Sequence, residues 1–309
     1  KGDENPNTEL ARLHPWKNPD YGYSNRLVKV LMMSMGYTDE ELANRGGLRI
    51  YTTIDQDLQQ IAQEEFERQL SDVNREKGPG DQLNGALIII NTKGEIKALI
   101  GGRDFEESEF DRVFAYRSPG SGIKPFIYAA AIDKFGFDLF TKACNTSFSM
   151  RGSNGKRWAP KNFRDRNPRP SDCNRDLFEG IKYSLNLVTL NVAIRIGMPA
   201  IMDLFRDFGI RGSRGMVVDS DGNTWLEMEI PPNQTRGELV PLLPTAIGAS
   251  DINLLEIANG YEVFFRGGTY VRPTLIKKVT NTFGDKIIYE PKPAVEKRVV
   301  SEDTAAKVV

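Results

Sequence analysis

The chain has 309 residues, 39% hydrophobic and 27% charged, enough to bury a sizeable core as one large domain with an appendage. A formal charge of −1 favours neither a polyanion nor an acidic membrane surface, so no nucleic-acid partner is expected. No apolar run approaches the roughly 18 residues of a membrane-spanning helix, and two cysteines with one histidine leave no zinc site and no histidine-based nucleophile.

Residues 1–47 are polar and punctuated by Pro and Gly, with one short amphipathic helix expected near Asn25–Met35 and His14 in the linker-like RLHPWKNP. From Gly47 the pattern tightens. LRIYTTID alternates as a strand, and Asp55 caps a helix to about Leu70 with Leu58, Ile61, Ala62, Phe66 and Leu70 on one face. KGPGDQLNG reads as a loop, and GALIIINTKGEIKALIGG as a β-hairpin turning at Asn91–Gly94. A polar region rich in Arg and Asn follows from Met150 to Asn174, then helices near Leu187–Ile196 and Ala200–Phe208. Strand pairs are expected late, in TYVRPTLIKKVTN and DKIIYEP. Helices mixed with antiparallel strands give an α+β domain. Cys144 and Cys173 allow one bridge in an oxidising compartment or two buried thiols in a reducing one.

The stretch RSPGSGIKPFIYAAA at 117–131 carries the chemistry. A phosphate loop needs G-x-x-x-x-G-K-[ST]. Here Gly120 and Gly122 stand too close, Lys124 follows Ile123, and Pro125 replaces the metal-binding hydroxyl. What remains is Ser121-Gly122-Ile123-Lys124, an S-x-x-K. A second one, Ser153-Asn154-Gly155-Lys156, sits in a polar turn with no helix behind it. Context separates the two. Gly120 breaks the chain, Pro125 suits a first helical turn, and FIYAAAID is apolar on every side until Gly136, which describes a buried helix with a serine at its start. Residues three apart share a helix face, so the Lys124 amine can reach the Ser121 hydroxyl, and burial disfavours its charged form. The plain alternative is a Ser cap with a snorkelling Lys. Ser184-Leu185-Asn186 precedes another apolar helix, placed either to relay a proton and hold a peptide group or merely to cap that helix. DSDGN at 219–223 opens like a calcium loop, but Thr224 replaces the required glycine and Ile230 the bidentate glutamate, so a β-turn is expected.

S-x-x-K with an S-x-N element is the pattern of penicillin-binding proteins and serine β-lactamases. The chain resembles the transpeptidase domain of class A, bifunctional penicillin-binding proteins in six ordered blocks: GGLRIYTTIDQDLQQIAQE, GALIIINTKGEIKALIGGRDF, YRSPGSGIKPFIYA, WAPKNF, YSLNLVTLNVA and AIGASDINLLEIANGYEVFFRGG. The resemblance implies an α+β penicillin-binding fold, an antiparallel sheet flanked by helices around a buried nucleophile helix. It divides the chain into 1–47, a linker after an absent glycosyltransferase domain, and 48–309, the transpeptidase domain.

It also implies the reaction. Ser121 attacks the penultimate D-Ala carbonyl of a peptidoglycan stem peptide, Lys124 takes its proton, Ser184 passes a proton to the departing D-Ala, and Asn186 binds substrate. An amine of a neighbouring stem then completes the cross-link, and β-lactams acylate the same serine. No metal or organic cofactor is expected. Trp158 and Asn162 are placed near the cleft without a chemical role. The protein is expected on the outer face of the cytoplasmic membrane, held by an anchor upstream of Lys1. Two departures stand out. FDRVFAY precedes the nucleophile where the family has an Asn-Arg-Ala run, and no K-T-G, K-S-G or H-T-G occurs. The polypeptide is therefore expected to continue past Val309, and the 85–102 hairpin to show an unpaired edge. A non-catalytic scaffold on the same fold, or a serine β-lactamase or D,D-carboxypeptidase, are the alternatives.

Overall fold

The computed structural model describes residues 21–38, 48–78, 83–151, 155–164, 172–212, 239, 241–292 and 296–309. Helix α1 (Gly22–Ser34) lies close to the expected Asn25–Met35. Its Tyr23, Leu27, Val28, Leu31 and Met32 join one core cluster with Ile96, Leu99 and Val279, so this part of the N-terminal segment is built into the body of the fold. After β1 (Leu48–Thr52), α2 (Gln56–Lys77) starts under Asp55, whose carboxylate accepts from Leu58 N at 3.2 Å. It runs past Leu70 because Arg68, Asp72 and Arg75 continue its exposed face as ion pairs at helical spacing, and Gly78 at φ +80° ends it.

The expected apolar face of α2 needs correction. Gln59, Ala62 and Phe66 are buried, whereas Leu58 and Ile61 stand 37% and 56% exposed. The reason is a buried amide. Gln59 Nε2 donates to Leu99 O at 3.1 Å, and Gln59 Oε1 accepts from Leu99 N at 2.9 Å, so one side chain serves both backbone groups of a strand residue. Satisfying that edge sets the helix rotation.

That strand is β3 (Ile96–Ile100), antiparallel to β2 (Leu87–Ile90), with Leu87 opposite Ile100 and Ile89 opposite Ala98. Asn91 Oδ1 accepts from Lys93 N and Glu95 N at the turn, where Gly94 takes φ +80°. Along the outer edge of β3, Gln59 is joined by Asp55 N, which donates to Lys97 O, and Ile96 N reaches Thr274 O. Among the described residues no strand pairs with the other edge of β2, whose residues are half-buried.

The 3₁₀ turn Gly120–Ile123 leads into α3 (Lys124–Phe135), with Pro125 in its first turn and left-handed Gly136 (φ +67°) at its end. From Phe126 to Ala131 every side chain is fully buried. Within the expected polar region, β5 (Met150–Arg151) pairs with β6 (Arg157–Trp158), and a second small ladder brackets the region, β4 (Lys142–Ala143) with a distant partner. The partner of β4 is β7 (Arg175–Asp176), and Cys144 and Cys173 are disulfide-bonded beside this ladder. The bridged alternative is thus the one adopted.

Among the described residues four helices follow: α4 (Leu177–Lys182), α5 (Asn186–Ile196), α6 (Met198–Asp207) and α7 (Leu254–Phe265), the last after a 3₁₀ turn at Leu243–Ile247. Helices α4 and α7 are not among the elements expected from apolar periodicity, although each opens on a capping box, Asp176 with Glu179 and Asn253 with Glu256. Together with the C-terminal α8 (Glu302–Val308), these helices enclose α3. Phe126 meets Phe205, Phe208, Tyr261 and Phe264 with ring centroids 5.1–6.4 Å apart.

The stretch 269–281 splits at Pro273, which has no N–H to give a ladder. β8 (Thr269–Tyr270) pairs with β11 (Lys297–Arg298), while β9 (Ile276–Asn281) lies between β1 and β10 (Ile287–Tyr289). Every strand ladder among the described residues is antiparallel, with one isolated parallel bridge between Glu95 and Thr274, and helices and strands segregate as an α+β fold requires.

Candidate active site

Ser121 lies within the 3₁₀ turn, its side chain exposed, where early backbone N–H groups lack partners inside the helix. Two contacts hold this turn. Tyr261 on α7 donates its hydroxyl to Gly122 O at 2.8 Å. On the other side Gly248 presses against it: a Cβ there would stand 2.0 Å from Gly120 O, and Ser118 Oγ donates to Gly248 O. Only glycine fits position 248, which also takes φ +81°.

One turn on, Lys124 is 2% exposed, and no carboxylate among the described residues pairs with it. Burial alone drives its amine from the ordinary 10.5 down to about 8. Its Nζ donates to Ser184 O at 2.6 Å and lies 2.9 Å from Ser184 Oγ. Among the described residues no hydrogen bond joins it to Ser121 Oγ, so the expected Ser121–Lys124 contact is open here and the amine rests on Ser184. Ser184 sits at φ +51°, a left-handed conformation that costs a non-glycine residue on the order of 1–3 kcal/mol. In it, the carbonyl and hydroxyl oxygens both face the lysine.

Asn186 opens α5, and its Nδ2 donates to Lys161 O at 2.8 Å, leaving Oδ1 without a partner among the described residues. Deeper in, Thr189 Oγ1 donates to Leu185 O at 2.9 Å, so the Tyr128 hydroxyl, 2.9 Å away, is the donor to Thr189. This pair ties α3 to α5 one turn below the Lys124–Ser184 contact.

Of the residues read from sequence, the structure joins Lys124 to Ser184 where α3 faces the start of α5, with Ser121 one turn before Lys124 and Asn186 two residues after Ser184. Ser153, His14 and 219–223 lie outside the described residues, and Lys156 of the second S-x-x-K is exposed. Sequence reasoning passed over Gly248, Tyr261, Tyr128 and Thr189, and left Asn162 without a role. For Asn162 a signal existed, since Leu185 cannot cap α5 and a polar side chain from elsewhere had to. Nothing in the sequence singles out Gly248 from the other glycines.

The family described as penicillin binding protein transpeptidase domain matches residues 85–309. Penicillin-binding protein 2D of Bacillus subtilis (strain 168) is 28% identical over 288 residues, 92% of this chain and 36% of its own length. Penicillin-binding protein 1A of Neisseria flavescens is 33% identical over 224 residues, 69% of this chain and 24% of its own. The chain thus spans roughly a quarter to a third of these curated relatives. The solved structure of the PonA1 protein from Mycobacterium tuberculosis in complex with penicillin V shares the fold, with a TM-score of 0.71 at 21% identity over 94% of this chain and 70% of that one. Penicillin-binding protein 1A from Haemophilus influenzae gives 0.56 at 26% identity over 74% of this chain and 35% of its own. The matched interval runs from the hairpin to the C-terminal helix and takes in every residue of the site, and on that footing the chain belongs to the penicillin-binding protein transpeptidase family.

Proposed function

We propose that the protein is a serine D,D-transpeptidase that cross-links peptidoglycan stem peptides ending in D-Ala-D-Ala. The observation that carries this is Lys124, an amine buried without a counter-ion among the described residues, held near pKa 8 and set beside two oxygens of Ser184. Ser121 Oγ attacks the penultimate D-Ala carbonyl while the neutral amine accepts its proton. Ser121 N–H, without a partner among the described residues, stabilises the developing oxyanion. Ser184 Oγ, in contact with the amine, passes a proton to the departing D-Ala nitrogen as the amide bond breaks. Asn186 Oδ1 accepts from the substrate backbone. An amine of a second stem then attacks the acyl-enzyme, forms the cross-link and returns Ser121 to its hydroxyl. A β-lactam enters the same path, its strained amide opening onto Ser121.

The open Ser121–Lys124 contact fits a free enzyme, in which catalytic hydrogen bonds are often long until substrate binds. A glycosyltransferase domain in the parent polypeptide and a location on the outer face of the cytoplasmic membrane, with an upstream anchor, complete the proposal, and the disulfide accords with an oxidising compartment. The test is labelling of the full-length protein with a fluorescent penicillin, followed by peptide mapping. Label on Ser121, lost in Ser121→Ala and kept in Ser153→Ala, is expected. A folded protein that takes no label is instead a non-catalytic scaffold, and loss with Ser153→Ala moves the nucleophile to the other S-x-x-K.

A further inference from the structure

Helix α5 starts without a cap of its own. Its N-cap residue is Leu185, which has no polar side-chain atom, and the first N–H groups of any helix need outside partners. The partner comes from the segment after β6: Leu187 N donates to Asn162 Oδ1 at 3.0 Å in a buried setting. Asn162 is 6% exposed, and its Nδ2 donates to Asn145 Oδ1 at 2.6 Å. Asn145, itself buried, donates its N–H to Asp172 O at 2.6 Å and its Nδ2 to Asp172 Oδ2 at 3.3 Å. Those two residues are the chain neighbours of Cys144 and Cys173, whose sulfurs are bonded.

The segment between β4 and β7 grips α5 at two more points. Lys161 O accepts from Asn186, and Cys144 N donates to Asn191 Oδ1 at 3.2 Å. A run of amides therefore leads from the disulfide to the residue after Asn186. Ser184, two residues before Asn186, is held in a left-handed conformation that surrounding contacts must enforce. Lys124 restrains it from one side, and the anchored start of α5 restrains it from the other.

We propose that Asn162 is a positioning residue for the Ser184–Asn186 turn, and that the Cys144–Cys173 bridge holds Asn162 in place through Asn145, so that acylation of Ser121 slows when the bridge is reduced. This rests on the transpeptidase reading above. Without Asn162 the buried Leu187 N–H has no acceptor. The first turn of α5 then rearranges, and Ser184 leaves the position where both its oxygens meet Lys124. Cys173 is exposed, so a dithiol can reach it. The dithiol supplies two electrons and two protons, leaving Cys144 and Cys173 as thiols and itself closing to a disulfide.

The experiment uses the full-length protein, oxidised and after treatment with dithiothreitol, as wild type, Asn162→Ala and Cys144→Ser/Cys173→Ser. Penicillin acylation is followed at several penicillin concentrations, which separates noncovalent affinity from the acylation rate constant. Amide hydrogen exchange is read over residues 185–188. In oxidised wild type the rate constant is expected to exceed that of Asn162→Ala by about ten- to a hundredfold, with affinity little changed, the cost of small misplacement at a reacting centre. Dithiothreitol slows wild type several-fold and leaves Asn162→Ala and the double serine variant unmoved. Exchange over 185–188 speeds up in step. The proposal is overturned by wild-type rates in Asn162→Ala, by equal effects of dithiothreitol on wild type and Asn162→Ala, or by unchanged exchange. Should Asn162→Ala fail to fold, oxidised against reduced wild type decides. If oxidised wild type takes no penicillin, the transpeptidase reading fails on its own, and exchange with and without dithiothreitol still decides the positioning role.

Discussion

Titrating acylation against pH tests the chemistry at its most exposed point. Lys124 acts as a base only when neutral, and burial brings its pKa from 10.5 to about 8. At pH 7 roughly one molecule in ten then carries the neutral amine, against about one in three thousand for an ordinary lysine. The second-order acylation constant for the free enzyme should therefore climb about tenfold per pH unit from about pH 6 and level off above about pH 8. Stopped-flow mixing with a fluorescent penicillin measures it, and Lys124→Ala should lower the constant by about 10²–10⁴ and flatten the climb. Stability supplies a separate readout. Because the folded-state pKa lies below the unfolded one, the unfolded chain binds more protons between about pH 8 and about pH 10.4, so stability rises with pH across that window. The shift corresponds to on the order of 3 kcal/mol, seen as a pH-dependent difference between wild type and Lys124→Met in urea unfolding. A rate profile flat through pH 8, or one inflecting near that of free lysine, would falsify the assignment of Lys124 as a base tuned by burial.

Gly248→Ala places a methyl against Gly120 O at a residue with φ +81°, so urea unfolding should show a loss of at least about 2 kcal/mol, and penicillin labelling should fall with it. An unchanged midpoint would mean the nucleophile turn does not lean on Gly248. Ser184→Gly and Ser184→Ala both remove the hydroxyl and should both slow acylation, yet the glycine variant should be the more stable by about 1 kcal/mol because it escapes the left-handed penalty. The reverse order of melting temperatures contradicts the strained conformation. Tyr128→Phe leaves Thr189 Oγ1 buried without its donor and should cost about 1–2 kcal/mol, with little further loss on adding Thr189→Val. Additive losses would show that the two hydroxyls act independently.

The nucleophile helix was legible in the sequence because its determinants are local: a chain-breaking glycine, Pro125 in the first turn, an apolar run with no polar face, and a left-handed glycine at the end. The same holds for the hairpin and for the Asp55 cap, and the ordered sequence blocks alone assign Ser121, Lys124, Ser184 and Asn186 to one family pattern. The rotation of α2 was not legible. Periodicity put Leu58 and Ile61 inside, but a buried glutamine amide serving both backbone groups of Leu99 outweighs two leucine-sized contacts, and that partner lies 40 residues away. The site divides along the same line. Residue types and spacing named the chemical groups. Tertiary structure alone turned Lys124 onto Ser184, closed Cys144 onto Cys173, set Gly248 against the nucleophile turn, and capped α5 with Asn162, because each depends on desolvation or close approach between segments that no local pattern brings together.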